Sequence, residues 1–200
     1  MKKYLFIFYM GNVVVDSCSI FKDIINALGF KNITEEQKDD MRNIFEATTR
    51  GNITSMEMLR IVAERNGLPE PKENYSLKFF KPRMIPETVE LISNIKKAGY
   101  RVVCGTNTID VHYAYHMEHK EYDIFDKVYA SQIMRQMKPD VTFWMAIKNA
   151  EKDYDYSEMF FFDDMEENVK AAASLGINAH LFTTAEDAAE YIRKVAGIEV

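Results

Sequence analysis

The feature that most constrains this chain is a set of short apolar runs separated by helical patterns. Residues 4–8 read YLFIF, with no polar position to mark a solvent face. A strand with one wet face alternates polar and apolar residues. An unbroken run therefore suits a central parallel strand covered on both sides. It stops at Tyr9-Met10-Gly11-Asn12, a turn-prone stretch. Further runs are RVVC at 101–104, KVYA at 127–130, MFFF at 159–162 and AHLF at 179–182. Between them lie helical patterns. Pro86 opens one that Gly99 closes, as expected for proline at the first turn and glycine just past the end. Others are predicted at 110–119, 141–150, 166–175 (closed by Gly176) and 185–196. Strands alternating with helices imply a Rossmann-like α/β fold, a parallel sheet joined by right-handed crossovers.

From 17 to 83 the pattern changes, and no strand is predicted. Ile20, Ile24, Ile25 and Leu28 have helical spacing, and Gly29 follows as a stop. Thr34 with Gln37 predicts a capping box for a helix to about Thr48. Thr54 with Glu57 predicts another, ending near Gly67. The stretch 68–83 holds Pro69, Pro71 and Pro82 and reads as a connector. The expected organisation is an α/β core from 1–16 and 84–200, with an all-helical cap subdomain at 17–83 inserted after the first strand.

In open parallel sheets, ligands bind beyond the carboxyl ends of the strands. Four loops qualify, and they hold a hydroxyl, a lysine and two carboxylates. Thr106 can hydrogen-bond a phosphoryl oxygen, with Asn107 beside it, or cap the helix that follows. Lys138 can neutralise phosphate charge, or be a solvated surface lysine. Asp163 and Asp164 are candidate oxygen ligands for Mg²⁺, or a polar turn that caps a helix. Asn168 is four residues beyond Asp164, a spacing that predicts their meeting over one helical turn.

These motifs, in this order, resemble the haloacid dehalogenase superfamily, in the branch with a helical cap after the first strand. The similarity is greatest to small phosphatases whose first motif reads F-D-x-G-N-V; here it reads Phe8-Tyr9-Met10-Gly11-Asn12-Val13. Thr106-Asn107, Lys138-Pro139 and Phe161-Phe162-Asp163-Asp164 through Asn168 match the later motifs. Arg50-Gly51-Asn52-Ile53-Thr54 is similar to an R-G-x-I-S/T stretch of that branch. The resemblance implies an Mg²⁺-dependent phosphatase of a small phosphorylated metabolite. The first-motif aspartate would attack the phosphoryl group and ligate the metal, with Thr106, Asn107 and Lys138 holding the phosphate and Asp163 and Asp164 holding the ion. The acid/base aspartate found two residues later in many members is Gly11 here, as in the G-N-V branch.

Tyr9 stands at the nucleophile position. A phenol has a reference pKa near 10, so little is anionic at neutral pH. It gives Mg²⁺ no carboxylate. Its ring is longer than an aspartate and intrudes on the space for metal or phosphate. The sequence thus points to a hydrolase relative impaired in aspartyl-phosphate chemistry. The competing readings are an active hydrolase using Asp16, Asp163 or an activated water, and a non-catalytic protein that binds a phosphometabolite or a partner.

Three further residues are candidates for cap or substrate contact. Asp16 lies at the entry to the helical segment, facing the cleft or acting as a hinge or N-cap. Arg50 is placed to meet a substrate anion or a surface ion-pair partner. His112 sits one turn before His116, on a helix face or at the substrate edge. A net charge of −6 gives no broad surface for nucleic acid or anionic membrane. The first apolar run is too short to span a bilayer and has no cleavage-site pattern after it. Two cysteines, Cys18 and Cys104, make no disulfide framework, so a cytoplasmic location is expected.

Overall fold

The computed structural model describes residues 3–16 and 19–200. Lys2, Ser17 and Cys18 lie outside them. Five strands form one parallel sheet: β1 (Leu5–Phe8), β4 (Arg101–Thr106), β5 (Lys127–Ala130), β6 (Met159–Asp163) and β7 (Asn178–Leu181). Their spatial order is β5-β4-β1-β6-β7, so the YLFIF run supplies the central strand. The unbroken apolar run follows from that position. Phe6 and Phe8 point into a cluster with Leu91, Ile95 and Ile192, whereas Leu5 and Ile7 point into one with Phe143, Trp144 and Ala172. The first face is covered by α5 (Pro86–Lys97) and α10 (Ala185–Ala196), the second by α8 (Val141–Ala150) and α9 (Glu166–Ser174). Phe6 stacks on Phe160 at 5.0 Å between ring centroids and Phe8 on Phe162 at 4.7 Å, which fixes the β1–β6 register.

Four helices separate the first strand from the second half of the sheet. They are α1 (Phe21–Leu28), α2 (Glu35–Thr49), α3 (Ser55–Arg65) and the single turn α4 (Tyr75–Lys78). Gly29 closes α1 in the left-handed conformation, and both expected capping boxes are present. These helices bury their own cluster, including Ile24, Leu28, Met41, Ile44, Met58 and Val62. Two expectations need correction. The stretch 68–83 is not all connector, since α4 forms within it, capped by the Asn74 side chain. A strand does occur at its end: β3 (Arg83–Met84) pairs antiparallel with β2 (Val15–Asp16), joining the two ends of the helical insertion. Two-residue strands carry no periodicity, so the pattern could not reveal them.

The insertion is anchored to the rest of the chain by its Arg50–Ser55 stretch. Gly51 lies so close to the start of α7 (Ser131–Met134) that an added Cβ would sit 2.2 Å from the Gln132 carbonyl oxygen. The Ser131 hydroxyl donates to the Thr49 carbonyl at 2.7 Å, and the Ser55 N–H donates to Asp110 at 3.0 Å. Asp110 opens α6 (Asp110–Glu118). Gly51 combines φ +69° with this clash, whereas Gly67 has φ +62° and open space around it. Gly51→Ala should therefore cost about 1–3 kcal/mol more unfolding free energy than Gly67→Ala in urea titrations. Equal losses would show that the close approach at Gln132 is not a docking constraint.

Candidate functional site

Tyr9, Thr106, Lys138 and Asp163 converge at the carboxyl ends of β1, β4 and β6. The last residue of β6 places Asp163 at the end of the sheet, fully buried. Lys138 is also buried, and its Nζ donates to Asp163 Oδ2 at 2.5 Å and to the Gly105 carbonyl at 3.1 Å. Gly105 is a close-packed position: a Cβ there would lie 2.8 Å from Ile7 Cγ2, so a side chain would push β4 from β1. Burial pushes the Lys138 ammonium below its usual range, and the Asp163 carboxylate pulls it back up. The Lys138 backbone is held by a reciprocal pair: its N–H donates to Asn107 Oδ1 and its carbonyl accepts from Asn107 Nδ2, both at 2.9 Å.

The Tyr9 ring covers the remaining side of this ammonium. Lys138 Nζ lies 3.5 Å from the ring centroid. Such a contact is worth about 2 kcal/mol when desolvated. The Tyr9 N–H extends the β1–β6 ladder to the Phe162 carbonyl at 3.0 Å. The side chain lies over Gly11, where an added Cβ would be 3.1 Å from the phenol oxygen. An ammonium has three N–H groups. Two are used by Asp163 and Gly105, and the third side faces the ring.

The second carboxylate is held differently. Asn12, with φ 56°, donates from Nδ2 to Asp164 Oδ2 at 2.9 Å. Asp164 Oδ1 is buried without a hydrogen-bond partner. Asn168 does not meet Asp164 as its spacing predicts. Its Nδ2 donates to Asp163 Oδ1 at 2.9 Å, and the Met165 N–H donates to the same oxygen at 2.9 Å. The chain turns after β6, so α9 presents Asn168 to the last strand residue rather than to the turn residue. Thr106 is buried, with its hydroxyl 3.3 Å from the Asn107 carbonyl. It does not cap α6, whose N-cap is Ile109. Sequence reasoning gave no role to Asn12 or to the Gly105 carbonyl. Asn12 had a signal, since asparagine tolerates the left-handed turn better than most residues.

The three outlying candidates are placed elsewhere. Asp16 binds Arg83 through both carboxylate oxygens, at 3.2 and 2.9 Å, across the β2–β3 ribbon, and it does not cap α1. Arg50 pairs with Asp140 at 2.6 Å, joining the insertion to the loop after Lys138. His112 stacks on Phe80 with centroids 3.7 Å apart, and its Nε2–H donates to the Ser76 carbonyl at 2.9 Å. Chiefly through burial, its pKa falls to about 4. His116 instead contacts Glu121, so the two histidines share no ligand set. Cys104 is fully buried, and burial raises its thiol well above the usual range.

The donor set does not fit the Mg²⁺ site that the resemblance implies. Both Asp163 oxygens are engaged, position 9 offers no carboxylate, and one unpartnered oxygen of Asp164 is left. Among the described residues, no three His, Cys, Asp or Glu side chains are grouped to hold a metal ion.

Residues 7–182 match the model of the haloacid dehalogenase-like hydrolases. The chain belongs to that family. The sesquiterpene phosphatase astK of Aspergillus oryzae is 29% identical over 142 residues, covering 68% of this chain and 71% of that one. Among solved structures, the magnesium complex of a HAD family enzyme from Bacteroides thetaiotaomicron is 26% identical. Its TM-score is 0.74, covering 96% of this chain and 98% of that one. A predicted HAD-like hydrolase from Porphyromonas gingivalis shares the fold over 100% of both chains, with a TM-score of 0.75 at 19% identity. No helix among the described residues is long and apolar enough to cross a membrane.

Two outcomes follow from these contacts. Lys138→Met leaves the Asp163 carboxylate buried without its cation and should cost about 3–5 kcal/mol of unfolding free energy. A loss under about 1 kcal/mol would mean that water reaches the site. His112 is favoured neutral in the folded chain. Its contribution to stability is thus complete above its ordinary pKa of 6.5 and is lost as pH falls towards about 4. The slope should not exceed about 1.4 kcal/mol per pH unit. His112→Phe should flatten that part of the profile of stability against pH, and an unchanged slope would assign it to other groups.

Proposed function

We propose that this HAD-like hydrolase relative does not run the aspartyl-phosphate reaction, and that it acts by binding a small molecule in the cleft between the sheet and its helical cap. One observation carries the reading: the Tyr9 ring lies on the Lys138 ammonium, 3.5 Å from its centroid. In the arrangement the family implies, that ammonium faces phosphate and position 9 carries the nucleophile. Here the same side chain removes the nucleophile and covers the cation. A small phosphorylated metabolite remains the ligand class suggested by the family, by astK and by a related structure holding magnesium and inorganic phosphate. Its phosphoryl end would meet the ring before it met Lys138.

The alternative nucleophiles have little support. Asp163 accepts hydrogen bonds on both oxygens, and Asp16 is tied to Arg83 in the ribbon. The proposed division is a core of residues 1–16 and 84–200 with a cap of 17–83, supported by the separate apolar cluster of the inserted helices. A cytoplasmic setting is part of the same proposal, its support being that two cysteines make no disulfide framework.

The wild-type chain should hydrolyse p-nitrophenyl phosphate with Mg²⁺ far below ordinary enzyme turnover, under about 1 s⁻¹. Mg²⁺ should not raise its melting temperature. Tyr9→Asp restores a carboxylate and uncovers Lys138, so it should gain both Mg²⁺-dependent stabilisation and measurable hydrolysis. Turnover by the wild type at or above that rate would sink the reading. A Tyr9→Asp variant that is folded but inert would place the lesion elsewhere in the cleft.

A further inference from the structure

The end of the α2–α3 pair away from the sheet carries chemistry of another kind. Asn66-Gly67 is the one Asn-Gly pair in the sequence. It directly follows α3, whose last residue is Arg65. A backbone nitrogen can attack the side-chain amide carbon of the asparagine before it, and glycine permits this most readily because no Cβ obstructs the approach. Gly67 has φ +62° and open space where a Cβ would be. In the folded chain both reacting groups are engaged. The Gly67 N–H donates to the Glu64 carbonyl at 3.2 Å. Asn66 Nδ2 donates to the Val62 carbonyl at 2.8 Å, and Asn66 Oδ1 accepts from Gln37 Nε2 at 2.8 Å.

Gln37 lies in the first turn of α2, where its Oε1 also accepts from the Thr34 N–H at 2.9 Å. The Gln37–Asn66 contact therefore staples the start of α2 to the end of α3. The Arg50–Ser55 stretch that anchors the insertion joins the other ends of the same two helices. Asp40 and Arg65 form an ion pair near the staple, but both side chains reach solvent, where such pairs contribute little. The two hydrogen bonds of the Asn66 amide are thus the main polar tie at this end.

We propose that Asn66 is a latent modification site, open to deamidation only when this end of the α2–α3 pair separates, and that the product then keeps it apart. In the step, the Gly67 nitrogen loses its proton to hydroxide and bonds to Asn66 Cγ. The Cγ–Nδ2 bond breaks, and the amide nitrogen takes a proton from water and leaves as ammonia. Water then opens the succinimide at either carbonyl, giving aspartate or isoaspartate. The net change is uptake of water and release of ammonia, with no other reactant. Aspartate has no N–H for the Val62 carbonyl and sets a carboxylate against it, at the negative end of the α3 dipole. Isoaspartate adds a methylene to the main chain between the Asn66 N–H and the Gly67 and Leu68 N–H groups, which together close α3 on Ala63 and Glu64. Either product opposes reclosure. The inference is independent of the proposed function.

The test follows the full chain by peptide mass spectrometry during incubation at mildly alkaline pH, with and without urea. Asn66 should convert at least about tenfold more slowly in the folded chain than in urea, a margin set by local opening. Gln37→Glu keeps the acceptor that caps α2 but leaves one side of the Asn66 amide unmatched. The folded variant should therefore convert about fivefold faster than the folded wild type. Equal rates with and without urea overturn the proposal, as does a Gln37→Glu variant whose circular dichroism and conversion rate are both unchanged. The effect of the product has its own comparison. Asn66→Asp should speed hydrogen exchange at the Asn66, Gly67 and Leu68 amides about fivefold over Asn66→Ala, which loses the same side-chain bonds without adding charge. Exchange no faster in Asn66→Asp than in Asn66→Ala removes the claim that the product holds this end apart.

Discussion

The buried pair of Lys138 and Asp163 organises the end of the sheet. A charged pair taken out of water is tolerated only when its remaining donors and acceptors are satisfied. Here the satisfaction is spread over the chain. The Gly105 carbonyl at the end of β4 takes a second ammonium N–H. The turn after β6 and the first turn of α9 give the carboxylate two donors. Asn107 clamps the lysine backbone from both sides. Strands β1, β4 and β6 are therefore tied at their carboxyl ends by one contact, and the loops that carry the family motifs have little freedom.

Tyr9 is best understood through the charge of that cluster. Asp163 and Asp164 with Lys138 leave one net negative charge. An aspartate at position 9 would add another beside a buried lysine already committed to Asp163, an arrangement that calls for a cation. The phenol removes that requirement and supplies a π-face to the ammonium in its place. Under the proposed reading, the missing carboxylate at position 9 and a weaker requirement for a divalent ion are one physical change. Asp164 is left with a buried carboxylate oxygen that has no hydrogen-bond partner among the described residues.

Much of this was legible in the sequence where local physics decides. The YLFIF run gave a central strand because both faces of β1 are buried, and Thr34 and Thr54 gave helix starts because capping is a contact over three residues. The α/β class followed from the alternation. What stayed hidden depends on pairing across the chain. Asp16 with Arg83, Arg50 with Asp140 and the β2–β3 ribbon are all set by how distant segments meet. Asn168 shows the limit most clearly. Counting along a helix predicted Asp164, but the partner lies one residue earlier on the strand, because the turn after β6 reverses the geometry on which the count depends.

The cations near the sheet end also bear on what that end can accept. At the sheet end, cations are already matched: Lys138 by Asp163 and the Tyr9 ring, Arg50 by Asp140. An anion arriving there must displace an interaction worth about as much as the one it gains. The close approach of Gly51 to the Gln132 carbonyl holds the inserted helices in register against the core.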